Sequence, residues 1–372
     1  MGEILDTFQI EDKHYASFAN KKQISIEKGE GVYVYDEEGK KYIDLTSGWG
    51  VTSIGHANPV ITEALLDQSK KIIQNPNSGA TYSPSRSRLI SLMQDILPKN
   101  LTRVFFANSG AEANDAAIKL ARKATGKLNI ISTEKSFHGR TISTVSATGQ
   151  NSHRSRFNPL IPNHIFVPYN DIEAIEKVIR NDVAAVIVEP IQGEGGINLP
   201  DQDYLKNLSD LCTKNDVLLI VDEIQTGFFR TGQLFMSDNV KIDILTMAKG
   251  IAGGFPFGAF AITEELNNKF GIGDHGGTYC GNPLGCAVAY SVIKYMLDNK
   301  IWENVEEVSK FSFKELKEMQ KDHPDIIKDI RGKGLLIAIE LVDEETGDSL
   351  NSKCLDNGLI LNITKGKVMS IF

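Results

Sequence analysis

A lysine set among small and aromatic residues has the most chemistry to offer in this chain. Lys249 lies in TMAKGIAGGFPFGA, residues 246–259. Ala, Met, Gly and Phe solvate an ammonium poorly. Desolvation favours the free amine, which can act as a nucleophile or form a Schiff base. The ordinary alternative is a lysine at the end of an element with its amine in water. Asp222 is the matching acid, closing the apolar run VLLIVDE at 217–223.

Four further segments carry residues of the right type. In NSGAEAN (108–114), Ser109, Gly110 and Ala111 are small enough for backbone N–H groups at a helix start to reach a phosphate. In FHGRT (137–141), Phe137 or His138 can stack on a flat ring and Arg140 can grip a carboxylate. A core phenylalanine and a surface arginine fit the same letters. In EPIQGEGGI (189–197), Glu189 and Glu194 stand on a Gly-rich loop after a strand, where α/β enzymes place ligands. In GDHGGTYCGNPLGC (273–286), Thr278 and nearby N–H groups suit a phosphate. The overlapping GIGDHG matches a dinucleotide fingerprint in letters only, since no apolar strand precedes it.

Asp222 opens DEIQTG (222–227), and an apolar run ending in Asp-Glu also reads as the second motif of an ATPase. That reading requires a Gly-Lys pair followed by Ser or Thr. The pairs at 39–40, 126–127, 332–333 and 366–367 never are. In a dry site an Asp can instead keep a pyridine-type nitrogen protonated. No GxSxG or HExxH occurs, and the seven His lack metal-ligand spacing.

These residues need a scaffold that brings distant loops together. Residues 24–45 read as short strands with a turn at Glu38-Gly39. Short apolar runs at 103–107, 184–188, 217–221 and 257–262 alternate with helical stretches such as AEANDAAIKLARKATG, which Gly126 ends. The alternation predicts an α/β fold with a mainly parallel, doubly wound sheet. From Pro283 the pattern becomes two helices, about 284–298 and 301–321, and a strand at 334–341. The expected division is an N-terminal segment (1–45) belonging to a smaller α+β domain, a large domain (46–282), and a C-terminal part of the small domain (283–372).

Composition closes off other classes. The 372 residues are 41% hydrophobic and 24% charged, ordinary globular values. A net charge of −8 argues against nucleic acid as a partner. No apolar run approaches the roughly 18 residues of a membrane span. The N-terminus has no signal-peptide pattern, and Gly2 does not open a myristoylation motif because Asp6 stands where Ser or Thr is needed. The four cysteines lack CxxC spacing, so a cytoplasmic protein with free thiols and no zinc is expected.

In combination and in order, NSGAEAN, FHGRT, EPIQGEGG, DEIQTGFFRTG, AKGIAGGFPFGA and GDHGGTYCGNP resemble the class III aminotransferases, which use pyridoxal phosphate. Within that family the motifs are most like those of the acetylornithine aminotransferases of arginine biosynthesis, with the ornithine aminotransferases near relatives. The resemblance runs from about residue 15 to 369. It implies the PLP-transferase fold of type I and a homodimer with shared active sites. It implies that Lys249 is the Schiff-base lysine, that Asp222 pairs with the pyridinium nitrogen, and that Gln225 approaches the ring hydroxyl. Phe137 would cover the ring, and Gly110 and Ala111 would bind the phosphate, joined by Thr278 from the other subunit. Arg140 and Gly277 would contact substrate. The side chain accepted stays open at pocket residues such as Trp49, so ornithine, 4-aminobutyrate and succinylated amines remain alternatives, as do a non-catalytic cofactor-binding protein and an isomerase. One departure stands out. The family carries an arginine in a V-x-R-x-x-P-P-L-like segment, but this chain reads KVMSIF, with Ser370 at the arginine position and the family's final helix missing. The expectation is a truncated C-terminal part, a Glu194 without its arginine partner, and a slow return step with 2-oxoglutarate.

Overall fold

The computed structural model describes residues 6–372. The reading of Gly2, and the first five positions of the expected N-terminal segment, lie outside the described residues. Strands β1 (Ile26–Glu30), β2 (Tyr33–Asp36) and β3 (Lys41–Asp44) form an antiparallel meander. Its second turn closes at Gly39, whose φ of +84° suits glycine.

A seven-stranded sheet follows, built from β4 (Leu101–Ala107), β5 (Asn129–Thr133), β6 (His164–Val167), β7 (Val183–Val188), β8 (Leu218–Asp222), β9 (Ile244–Met247) and β10 (Gly258–Thr263). The strand order is β4-β10-β9-β8-β7-β5-β6. Every pairing among β5 to β9 is parallel, and β10 alone runs antiparallel to both neighbours. The four runs expected as strands are β4, β7, β8 and β10. The sequence reading did not include β5, β6 and β9. Burial alternates across the sheet. On β7, Val186 and Val188 face a core shared with the helices Tyr204–Lys214 and Pro283–Asp298. Ala185 and Ile187 face the opposite core, with the helix Gly110–Thr125. That helix buries Ala113, Ala116, Ala117, Leu120 and Ala121, and Gly126 ends it at φ +70°.

The remaining strands are β11 (Ile327–Lys333), β12 (Leu336–Leu341), β13 (Leu359–Ile360), β14 (Asn362–Thr364) and β15 (Val368–Ile371). Four of them make a sheet in the order β11-β12-β15-β14, and Phe313 and Leu316 of the helix Ile301–Asp322 pack on its core. Strand β13 pairs in parallel with β3, joining the C-terminal region to the N-terminal meander. The helix Pro283–Asp298 buries Cys286, Val288, Ala289, Val292, Ile293 and Met296 in the core of the large sheet. We therefore propose that the small unit resumes after this helix rather than at Pro283.

Candidate active site

Parallel strands end at one edge of a sheet, so the loops that follow them meet there. The ends of β4, β5, β7, β8 and β9 and the loops after them supply residues 108–111, 137–140, Glu189 and Glu194, Asp222, Ile224 and Gln225, and Ala248, Lys249 and 254–257 to a single cavity of about 430 Å³. Its walls include Trp49, Ser109, Gly110, Ala111, Phe137, His138, Arg140, Glu189, Glu194, Asp222, Gln225 and Lys249. Of the residues singled out from sequence, Gly277 and Thr278 are elsewhere. They line a second cavity of about 670 Å³ with Ser78, Arg86, Phe105 and His275.

Asp222 is buried at the end of β8 and accepts three hydrogen bonds. Its Oδ2 takes one from Asn114 Nδ2 at 2.7 Å and one from His138 Nδ1 at 2.8 Å, and Oδ1 takes one from the Ile224 amide at 3.1 Å. A carboxylate only accepts, so Nδ1 carries the proton. His138 Nε2, also buried, has no hydrogen-bond partner. Asn114 is fixed in turn: Nδ2 also donates to the His138 carbonyl at 2.9 Å, and Oδ1 accepts from Thr246 Oγ1 at 2.7 Å. Either Phe137 or His138 was expected to meet a flat ring. Both line the cavity, and the His138 imidazole is committed to Asp222, which leaves Phe137 as the candidate for the ring face.

Glu189 accepts from the Phe137 amide at 2.9 Å and the Gly193 amide at 3.2 Å. Burial pushes its carboxyl up to about 7. The His138 imidazole and the two amide donors work against this, and the nearby Asp222 charge adds to it.

Lys249 sits at φ +48°, with one residue between it and the end of β9. A non-glycine residue in left-handed backbone costs about 1–3 kcal/mol and persists where the surroundings over-determine it. Burial lowers the pKa of its amine, although Glu194, Asp222 and Glu189 oppose this through charge. The result is an amine more readily deprotonated than an exposed lysine.

At the far end of the cavity the helix Gly110–Thr125 points its N-terminus inward. Ser109 caps it, accepting from the Glu112 amide at 3.2 Å. The first amides of a helix have no intrahelical acceptor, which leaves Gly110 and Ala111 free to bind an anion. The approach is tight: a Cβ on Gly110 would meet Ile224 Cδ1 at 2.6 Å, and one on Gly258 would meet the Ser109 carbonyl at 2.5 Å. The opposite wall is unusual. Ser47, Gly48, Trp49 and Gly50 all have positive φ (50°, 59°, 65° and 76°), making one left-handed turn. Its Trp49 carbonyl accepts from Gln225 Nε2 at 3.4 Å.

Asn114 and Arg230 escaped the sequence reading. Arg230 is buried and donates to the Leu335 carbonyl at 3.4 Å and to Ser53 Oγ at 3.2 Å, and burial lowers it to about 10. Both lay in quoted motifs, as polar residues in apolar settings. Ser370 lies on β15 opposite Ala338, buried, its hydroxyl without a partner, and it does not line the cavity.

Comparison with known proteins agrees with this geometry. The family described as Aminotransferase class-III matches residues 15–372. An acetylornithine aminotransferase from Methanothermobacter thermautotrophicus is 42% identical over 368 residues, covering 98% of this chain and 93% of its own. One from Clostridium acetobutylicum is 42% identical over 355 residues, covering 92% and 89%. Among solved structures, ornithine aminotransferase from Toxoplasma gondii superposes with a TM-score of 0.92 at 32% identity, covering 98% and 88%. Acetylornithine aminotransferase from Elizabethkingia anophelis gives 0.85 at 34%, covering 98% and 92%. The chain belongs to the class-III aminotransferases.

Proposed function

We propose that this enzyme transfers the δ-amino group of N2-acetylornithine to 2-oxoglutarate, giving N-acetylglutamate 5-semialdehyde and glutamate, with pyridoxal 5'-phosphate as cofactor. The observation that carries the chemistry is the pairing, in one cavity, of a desolvated Lys249 with a buried Asp222. The donor set fits the cofactor: a helix N-terminus for its phosphate, a buried carboxylate for its ring nitrogen, an aromatic wall and a free amine. Pyridoxal phosphate, when bound, supplies the electron sink and carries the amino group between donor and acceptor.

The residues then divide the work. Lys249 takes the proton from the substrate carbon that bears the amine, and burial, which lowers its pKa, favours the basic form that this step needs. Asp222 keeps the ring nitrogen protonated, with His138 and Asn114 fixing the carboxylate. Ser109, Gly110 and Ala111 receive the phosphate, Phe137 covers the ring, and Gln225 approaches the ring hydroxyl. Arg140 takes a substrate carboxylate, while Trp49 and Glu194 shape the substrate end. Glu189 orders the loop carrying Phe137. Gly277 and Thr278 fall outside the Lys249 cavity, which supports a homodimer in which a second copy contributes them to the shared site.

The choice of acetylornithine rests on relatives at about 40% identity that bear that name. The ornithine aminotransferase neighbours keep ornithine as the second reading. Among the described residues no helix is long and apolar enough to cross a membrane, and no metal-binding cluster occurs. All four cysteines are free, which suits a cytoplasmic enzyme. Coupled assay of glutamate formation from 2-oxoglutarate, with acetylornithine and ornithine compared as donors, tests the proposal. A higher kcat/KM for ornithine rejects the main reading.

A further inference from the structure

The Gly-rich turn that carries Glu194 contains a strained residue. Ile197 has φ +51° and is fully buried. A β-branched side chain rarely accepts left-handed backbone, and such strain persists only where the surroundings over-determine it. Gly196, before it, has φ +112°. The amides of Gly196 and Ile197 both donate to the Gly193 carbonyl at 3.1 Å, and the Gly193 amide is tied to Glu189. Glu194 stands inside this turn and lines the Lys249 cavity.

A residue of the small unit closes the turn from outside. Arg331 lies on β11. Its Nε donates to the Gly196 carbonyl at 3.2 Å and the Ile197 carbonyl at 3.1 Å, and Nη2 donates to the Gly196 carbonyl at 2.6 Å. Nη1 faces Asp329 Oδ2 and Glu340 Oε2, each at 2.8 Å. A rigid planar fork serves two carbonyls and two carboxylates at once, which the point charge of a lysine does not match. Apolar packing follows the same line: Ile191 and Ile197 share a core with Leu336, Ala338 and Val368. The β11–β12 hairpin also meets the loop after β8, where the Leu335 amide donates to the Arg230 carbonyl at 2.9 Å.

We propose that Arg331 is a positioning residue: by holding the Gly196 and Ile197 carbonyls it keeps the strained turn closed and sets Glu194 in the wall of the substrate cavity. This rests on the aminotransferase reading above. Arg331 itself does not line the cavity, so it acts on the substrate only through the turn.

Hydrogen exchange read by mass spectrometry, on cofactor-free protein, tests the clamp. Arg331→Met should speed exchange over residues 193–198 about tenfold, the worth of one charge-assisted hydrogen bond, and leave the helix Gly110–Thr125 unchanged. Steady-state kinetics then test the route through Glu194. Arg331→Met should raise KM for acetylornithine about fivefold while kcat changes less than about twofold. In a Glu194→Gln background the same substitution should move KM less than about twofold, because residues acting through one another are not additive. A residue needed only for folding would give the same factor in both backgrounds. Wild-type exchange over 193–198 overturns the proposal, and so does full additivity with Glu194→Gln. If Arg331→Met folds poorly, Arg331→Lys decides, since it keeps a charge beside Asp329 and Glu340 but loses the fork over the two carbonyls. Failure of the underlying reading looks different: the wild-type enzyme would form no glutamate from any amino donor, while the exchange comparison would still accept or reject the clamp.

Discussion

His138 and Asp222, 84 positions apart in sequence, are held 2.8 Å from each other with both side chains buried. The imidazole proton on Nδ1 and the Asn114 amide both end on the same carboxylate oxygen. Asp222 is therefore fixed in orientation before any ligand arrives, as electrostatic preorganisation requires.

Asn114→Ala removes one of those donors and strands Thr246 Oγ1 and the His138 carbonyl. Leaving buried polar groups unpaired costs about 1–3 kcal/mol of stability. A loss of similar size in the transition state would slow single turnover by about 5- to 150-fold. Circular-dichroism melts and stopped-flow absorbance with acetylornithine measure the two effects. A variant that is destabilised but reacts at the wild-type rate would remove Asn114 from the catalytic support.

Lys249→Ala should cut turnover by at least about 10²–10⁴-fold, the usual contribution of a positioned acid–base group. Borohydride treatment of the loaded wild-type enzyme should leave a pyridoxyl label on Lys249 alone. Peptide mass spectrometry reads the position, and a label on Lys135 or Lys365 would refute the assignment.

Glu189 sets a pH dependence. Its folded value is raised from 4.5 to about 7, so the folded protein keeps a proton that the unfolded chain gives up. The stability this provides is present at low pH and is lost as pH rises from about 4.5 to about 7, levelling above. Glu189→Gln should flatten that slope. Melting temperatures of cofactor-free protein at pH 5 and pH 8 give the comparison. Other raised acids, such as Glu223 and Asp243, contribute equally to both proteins and cancel. An unchanged pH 5-to-8 difference in the variant would contradict the assignment.

Gly110→Ala separates binding from folding. The added methyl would press on Ile224 Cδ1, 2.6 Å away, at the edge of the anion cradle. Alanine in a helix gains about 0.5–1 kcal/mol over glycine. Apo-protein stability should therefore change little, while cofactor affinity falls about tenfold through one weakened charge-assisted hydrogen bond. Equilibrium dialysis of pyridoxal phosphate against this variant is the check.

NSGAEAN was legible because it sits between an apolar run and a helix, the arrangement that marks a ligand edge in α/β folds. What stayed hidden was pairing across distance. Strands β6 and β9 are four residues each, HIFV and ILTM, too short to stand out before their neighbours are known. Asn114 lies on an alanine-rich helix face, and only contact with Asp222, 108 positions on, explains a polar residue there. The helix Pro283–Asp298 packs in the core of the large sheet, which its apolar stripe alone does not say. Thr278 lines a cavity apart from Lys249, and nothing local to GGTYCG says which of the two cavities it will join.

The turn from Ser47 to Gly50 sets limits on how this pocket can be remodelled. A wall of left-handed backbone tolerates exchange of its one large side chain far better than any change in its path. Gly48 and Gly50 are poor sites for residues with a Cβ: at Gly50 the added atom would lie 2.4 Å from Gln225 Nε2. Within this turn, change is left to the side chain of Trp49, the one large side chain it presents to the cavity. Exchange of that side chain would leave the Gln225 contact in place, since the contact is made by the tryptophan's carbonyl and not by its ring.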